Sequence, residues 1–317
     1  MKNKVEVFFA SDNNYLPYLS VALTSLSDHA SDDFIYNVHI LTTDFSDDSL
    51  KTTKELVKPN INVSVHNIKE KIDLIKRELA VRLRDYYSDS IYYRLFIPSL
   101  FPRLKRAVYL DSDIVLTDDV AKLYFTDLNG NLLGAVTDES VIAVPVFCDY
   151  VKCQIGISNE REYFNSGVLV IDLDGFRREG IEEKFTYLLK TYNFDTVAPD
   201  QDYLNFLCRG KVEYLDCGWN KHAIEANVIP RSELHIMHFN MFNKPWHYSG
   251  VQNGDLFWYY AAKTPFLSTL IRNRFAYTDE ERERDSAGAV KLIEAAQRIS
   301  EGEVFMAHSL TSVASDN

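Results

Sequence analysis

Two aspartates one residue apart, Asp111 and Asp113, interrupt the apolar run YLDSDIVL at residues 109–116. The residues before them, RAVYL, read as a buried strand, so the pair falls at a strand's carboxyl end. In an open α/β sheet, ligands sit beyond those ends. Residues i and i+2 of an extended segment also point the same way. Two adjacent carboxylates repel each other, and burying them unpaired is costly. A divalent cation resolves the conflict, and carboxylate oxygens plus those of a diphosphate suit Mg²⁺ or Mn²⁺. A solvated turn or helix cap is the alternative reading of the pair. Further along, residues 235–247 read HIMHFNMFNKPWH. His238 ends a short strand, and its imidazole could join the same ion, which favours Mn²⁺ over Mg²⁺. His235 faces the other side of an extended strand and reads as structural. Lys244, in the loop beyond, could neutralise a phosphate that leaves with a nucleotide. A core histidine and a solvated lysine are the plainer readings.

The elements that must position these groups alternate. VEVFFA (5–10) reads as a buried strand, and PYLSVALTSL as a helix with Pro17 at its start. FIYNVHILT (34–42) is a strand, Ser46 and Asp47 open a helix, and INVSVHNI (61–68) alternates with period two. Strand–helix–strand–helix–strand favours a parallel sheet with crossover helices. Residues 92–100 then read as a helix, 131–136 as a strand ending near Asp138, and 163–173 as a strongly apolar strand led in by Asn-Ser-Gly. FRREGIEEKFTYLLKTYN (176–193) reads as one amphipathic helix, and DQDYLNFLCRG as a short helix that Gly210 can terminate. KVEYLD and LHIMHF are later strands.

From about residue 254 the chain turns aromatic and helical, interrupted at Pro265. TDEERERDS (278–286) reads as a charged linker, followed by a helix over AGAVKLIEAAQRI and a frayed polar tail, SLTSVASDN. The expected organisation is a catalytic α/β domain over residues 1–250 and a helical appendage over 251–317.

Composition narrows the function. The 317 residues include 34 Lys and Arg against 46 Asp and Glu, a net charge of −12. That argues against nucleic acid, whose phosphates demand a basic footprint. The same acidity argues against broad adhesion to anionic lipid. No apolar run reaches the roughly 18 residues of a membrane helix, and the N-terminus lacks the pattern of a signal peptide. The expected location is cytoplasmic, with peripheral contact at the inner membrane face left open. Four cysteines without a CxxC pair suggest reduced thiols rather than zinc or a disulfide scaffold.

Six ordered motifs complete the pattern: FFASDNNY, YYRL, YLDSDIV, YFNSGVLVIDL, PDQDYLN and HFNMFNKPW. Over residues 5–250 the sequence resembles glycosyltransferase family 8, retaining enzymes on the A-type nucleotide-sugar fold. The resemblance implies a mixed, mainly parallel sheet flanked by helices. It also implies a UDP-glucose or UDP-galactose donor, Mn²⁺ (with Mg²⁺ as the alternative) and a glycan, lipid-linked or glycoprotein acceptor. A homo-oligomer is compatible with it. Carried over by position, Ala10, Asp12, Asn14 and Tyr15 would hold the uridine, with Tyr15 stacking on the base. Arg94 would reach the sugar and diphosphate, and Ser112 and Lys244 would join the donor-binding set. Asp111, Asp113 and His238 would ligate Mn²⁺. Asn165 and Asp200 would contact sugar hydroxyls, Gln201 would sit near the anomeric carbon, and Asp138 would lie beside donor and acceptor. The catalytic group would thus be Gln201, Asp200 and Asp138. One position departs: Met241 stands where the family's closing motif has glycine, and Met disfavours the left-handed backbone that glycine allows. A sugar nucleotidyltransferase and a catalytically degenerate nucleotide- or glycan-binding module are the competing readings. The first lacks its usual glycine-rich basic loop after the first strand, and Met241 is the only support for the second.

Overall fold

The structure, a computed structural model, describes residues 2–73, 89–224 and 228–309. Its strands are β1 (Asn3–Ala10), β2 (Phe34–Thr42), β3 (Ile61–Asn67), β4 (Arg106–Leu110), β5 (Ile114–Leu116), β6 (Leu133–Thr137), β7 (Phe164–Asp172), β8 (Val212–Tyr214), β9 (Lys221–His222) and β10 (Ile236–His238). Seven of them form one sheet in the order β3-β2-β1-β4-β7-β6-β8. The pairings are parallel except at β7, which runs antiparallel to both β4 and β6. This is the mixed, mainly parallel sheet that the resemblance implies.

Both faces of the sheet are covered, which is why its strands read as continuous apolar runs. Val7, Phe9, Val108, Leu110, Val168 and Val170 feed one core. Their neighbours Phe8, Ala107, Tyr109, Leu169 and Ile171 feed the core on the other face. Each such buried side chain stabilises by roughly 1.5–3 kcal/mol relative to exposure. Strand order reverses between β1 and β4, and the carboxyl ends of those two strands open the crevice that carries the site.

A second, three-stranded sheet, β5-β10-β9, lies beyond that crevice. β10 pairs antiparallel with β5, with His238 opposite Ile114. It pairs parallel with β9, with His238 opposite His222. A third core joins Tyr18, Val21, Met237 and Trp246 to the helices Gly254–Ala261 and Leu267–Ala276.

Three expectations from the sequence need correction. The stretch 92–100 is a 3₁₀ segment, Asp89–Phe96, followed by a short helix, Ile97–Leu100. Pro98 has no N–H to give Arg94, and its ring would clash with the carbonyl of Arg94 in a continuous α-helix. The stretch 176–193 is two helices, Leu173–Glu179 and Ile181–Thr191, divided at Gly180, whose φ of +61° ends the first in left-handed geometry. The supposed linker is the first half of a 22-residue helix, Asp279–Ser300. Thr278 and Glu281 form a reciprocal capping box, and three acidic residues lie in the first turn. The charges that suggested a linker thus favour the helix N-terminus. This helix packs on Pro145–Tyr150 through a stripe of Gly288, Leu292, Ala295, Ala296 and Ile299. The expected frayed tail lies, from residue 310 onward, outside the described residues. Among the described residues no helix is long and apolar enough to cross a membrane. All four cysteines are free, and only Cys208 is buried.

Candidate active site

The crevice opens into a cavity of about 650 Å³ lined by residues from both sheets and from the helix Asp279–Ser300. The end of β4 delivers Asp111. Its backbone N–H donates to the Gly167 carbonyl at 2.8 Å, which extends the β4–β7 ladder by one step. Ser112 turns the other way, is buried, and donates its hydroxyl to the Ala10 carbonyl at 2.8 Å. That bond ties the ends of β1 and β4 across the switch point. Asp113 then points back toward the cavity. Its carbonyl accepts from the Phe239 N–H at 3.0 Å, and the register of β10 on β5 brings in His238.

The result is one cluster. His238 Nε2 lies 3.3 Å from Asp113 Oδ1 and 3.8 Å from Asp111 Oδ2. A ligating atom of each residue lies within 4.8 Å of the others. The other imidazole nitrogen, Nδ1, is 2.8 Å from Asn220 Oδ1. Asn220 donates its amide to Asn165 Oδ1 at 2.9 Å, so its oxygen is left to accept from His238. Nδ1 therefore donates to Asn220, and Nε2 faces the two carboxylates, the arrangement metal-binding histidines adopt. The cavity lining holds five carboxylates, Asp12, Asp111, Asp113, Asp138 and Asp200, against two permanent cations, Arg94 and Lys244. Two carboxylates, one imidazole and an excess of negative charge fit a divalent cation.

The two cations are placed by these same acids. Lys244 bonds Asp113 Oδ2, with its ammonium 5.4 Å from the Trp246 ring centroid. Burial pushes the Asp113 carboxyl up, but Lys244 and His238 outweigh it and hold it well below the usual carboxylate range. Arg94 is buried beneath the floor. It donates to Asp111 Oδ1 at 3.0 Å and to Ser166, pairs with Asp200 at 3.2 Å, and stacks over Tyr109. Burial disfavours its charge, yet Asp111 and Asp200 raise its pKa above the ordinary value. Burial also lifts the Asp200 carboxyl, while Arg94 pulls it the other way.

Behind the cluster runs a saturated network. Asn165 accepts from Gly167 N and Asn220 and donates to Asp138 Oδ2 and Gln201 Oε1, at 2.9–3.1 Å. Gln201 Oε1 also accepts from Ser166 N at 3.0 Å, and its amide donates to Asp138 Oδ2 at 2.9 Å. Asp138 caps the helix Glu139–Ile142 and accepts from the backbone and hydroxyl of Ser140. Burial raises its pKa, but His222 and these donors more than offset that and leave it lowered.

Ala10, Asp12 and Tyr15 line the cavity together with Asp111, Asp113, His238, Arg94, Ser112, Asp138, Asn165, Asp200, Gln201 and Lys244. Asp12 accepts the Tyr15 N–H on its carboxylate at 2.8 Å, a local side-chain-to-backbone bond that sets the tyrosine. Asn14 is exposed and does not line the cavity. Its neighbour Asn13 is bonded to Asp44, in the loop after β2, and to Ser49, in the helix Asp47–Glu55 that follows. His235 turns away, as expected, pairing with Asp118 at 2.9 Å and stacking on Trp219. Met241 lines the cavity and adopts φ +52°, the left-handed geometry that glycine would supply without strain.

Sequence reasoning missed Asn220, Ser166 and Gly167 as site residues. Ser166 bridges Arg94, Asp200 and Gln201. Gly167 permits close approach: a Cβ there would stand 2.4 Å from His238 Cε1 and 2.6 Å from Asp111 Oδ2. The Asn-Ser-Gly motif held a signal for the last two. Nothing in CGWNKH marked Asn220. The contribution of Ala289, Leu292 and Ile293 from the helix Asp279–Ser300 was also missed.

The sequence profile of glycosyl transferase family 8 matches residues 6–250. The chain belongs to that family. It is a glycosyltransferase, and the matched span holds every residue of the cluster and its network. It is 26% identical over 264 residues to the lipopolysaccharide 1,2-glucosyltransferase of Escherichia coli K12, covering 77% of this chain and 73% of that protein. A galacturonosyltransferase-like protein of Arabidopsis thaliana is 26% identical over 274 residues, covering 76% and 67%. Among solved structures, the galactosyltransferase LgtC in complex with donor and acceptor sugar analogues matches with a TM-score of 0.66 and 26% identity, over 82% of this chain and 96% of that one. The bifunctional glycosyltransferase WbbM shares the fold, with a TM-score of 0.74 and 23% identity. This chain spans about half of WbbM, 52% of its length.

Proposed function

We propose that this family 8 glycosyltransferase moves a hexose, glucose or galactose, from a UDP-sugar to a glycan-bearing acceptor with retention of configuration, and that Mn²⁺ is its metal. The observation that carries this reading is the Asp111–Asp113–His238 cluster at the cavity floor, flanked by Lys244 and Arg94. A glucosyltransferase and a galactosyltransferase among the relatives support a hexosyl donor. A bound Mn²⁺ would neutralise the charge that grows on the diphosphate as the glycosidic bond breaks.

The chain's own groups do the rest. Tyr15 offers a ring for the base, set by its backbone bond to Asp12. Lys244 supplies a point charge for the leaving phosphate. Arg94 holds Asp111 and Asp200 in place from below. Retention by double displacement would need a free carboxylate under the anomeric carbon. Asp138 is a poor candidate, because Ser140, Asn165 and Gln201 already occupy its oxygens. Asp202 is bonded to Tyr150 and Tyr163 and does not line the cavity. Asp200 is engaged by Arg94 and Ser166. Gln201 is an amide. We therefore favour front-face attack. The acceptor oxygen bonds to the anomeric carbon on the side from which UDP departs, and the departing phosphate oxygen takes the acceptor's proton.

The test is UDP release from a panel of UDP-sugars with Mn²⁺, repeated with EDTA and with Asp113→Ala. Release with one sugar, lost in both controls, is expected. No release, together with no metal-dependent UDP binding by calorimetry, would overturn the reading. A sugar adduct trapped on the wild-type chain would sink front-face attack alone.

A further inference from the structure

The cavity has two characters. Beside its charged cluster it carries an apolar portion of wall, part of which is exposed. The loop after β10 places Met241 and Phe242 in the wall, and Met241 is 43% exposed. Val144 and Phe147, at and just inside the start of the helix Pro145–Tyr150, add a half-buried apolar surface. The helix Asp279–Ser300, packed on that one, adds Leu292 and Ile293, and Ile293 is 39% exposed. The charged donor chemistry described above uses none of these six side chains.

Two observations mark this wall as a contact surface. Met241 holds φ +52°, a backbone that side chains disfavour, while the residue stays 43% exposed. Strain of that kind at the rim of a cavity points to function. Ile293 is likewise left exposed, on a helix outside the span 6–250 matched by the family profile. An acceptor hydroxyl must reach the floor near Gln201, so whatever the accepting sugar carries must leave past this wall. A purely polar glycan would leave Met241 and Ile293 without complement.

We propose that the mouth formed by Met241, Phe242, Val144, Phe147, Leu292 and Ile293 binds an apolar aglycone, an alkyl or aryl group attached directly to the accepting sugar. This rests on the transferase reading above. Burying one methylene is worth about fourfold in affinity. A hexyl chain with half its length in contact should bind roughly fiftyfold tighter than methyl.

The test uses the full chain with Mn²⁺ and UDP, and methyl, hexyl and phenyl glycosides of glucose and galactose as probes. Binding is read by calorimetry, and kcat/KM is read wherever a donor is turned over. Wild type should prefer hexyl or phenyl over methyl by tenfold or more. Ile293→Ser and Met241→Ser should each cut that ratio at least threefold, and the ratio within one variant cancels general damage to fold or donor site. A hexyl preference over phenyl assigns the aglycone to a lipid chain, and the reverse to an aromatic group. Equal binding of all three glycosides by a chain that still releases UDP from a donor overturns the subsite and leaves the transferase standing. A preference that survives both substitutions also overturns it. Failure to bind UDP with Mn²⁺ at all would sink the transferase reading, and this proposal with it.

Discussion

Replacing Gly167 by alanine isolates how tightly the site is built. Gly167 does not have a positive φ, so alanine suits its backbone, and the effect is purely one of space. The added Cβ would stand 2.4 Å from His238 Cε1, 2.6 Å from Asp111 Oδ2 and 3.0 Å from Asn165 Oδ1. Carbon–carbon contacts relax only at about 3.5–4.0 Å, so at least one neighbour must retreat by roughly 1 Å. None can do so freely. Asp111 is held by Arg94, Tyr109 and the Gly167 carbonyl, His238 by Asn220, and Asn165 by four hydrogen bonds. Metal sites tolerate errors of only about 0.2 Å in ligand position. Mn²⁺ affinity in the presence of UDP should therefore fall by about 10- to 100-fold or more. Overpacking should also cost about 1–3 kcal/mol of stability. Calorimetric Mn²⁺ titration reads the first and urea denaturation the second. Gly130→Ala is the control. Gly130 has φ +80° and open space around it, so it should lose roughly 1 kcal/mol and keep its metal affinity. Wild-type Mn²⁺ affinity in Gly167→Ala would refute the reasoning, because it would mean that His238 and Asp111 are not held where the metal needs them.

Two further outcomes follow from the buried network. Asn220→Leu should weaken Mn²⁺ binding about tenfold by freeing the His238 ring, while Asn220→Asp, which keeps the acceptor for Nδ1, should retain it. Equal loss in both variants would show that Asn220 acts through its amide bond to Asn165 or its packing, and not by holding the His238 ring. Burial pushes the Asp202 carboxyl up to about 6 against the pull of the Tyr163 and Tyr150 hydroxyls, whereas an unfolded aspartate titrates near 3.9. Between those values the native state holds a proton that the unfolded state lacks, so this contribution to stability falls as pH rises through the window. From pH 7.5 to 5, wild type should gain roughly 1 kcal/mol relative to Asp202→Asn, and parallel denaturation profiles would contradict the assignment.

The strands and the polar pair were legible because they are local. A sheet buried on both faces writes itself as VEVFFA and RAVYL, and a strand that ends in DSD announces a ligand end. The helix boundaries that failed did so for local reasons that were also present but outweighed. Pro98 and Gly180 were read as interior residues of periodic segments, and the charge of TDEERERDS was weighed as solvation rather than as complement to a helix dipole. Other features depend on long-range pairing, which local pattern does not carry; the sequence marks His238 as a candidate ligand, but not the pairing that delivers it. His238 meets Asp113 because β10 pairs with β5 in one register out of several, and a slip of one residue would turn the imidazole away from the cavity. Asn220 reaches His238 through the neighbouring strand β9, whose two residues carry no period to detect.

The helix Asp279–Ser300 was not legible as part of the site for the same reason. Its buried stripe of Gly288, Leu292, Ala295, Ala296 and Ile299 is what any helix needs in order to dock, and nothing in that pattern names the surface it docks against. Only its packing on Pro145–Tyr150 sets Ile293 beside the cavity that the strand ends open. The floor is thus specified by motifs within the family span, where each polar group has a partner that can be named. The mouth is specified by how an extra helix lies across that span. Chains that share the floor can therefore differ in the mouth, and it is there that the acceptor would be chosen.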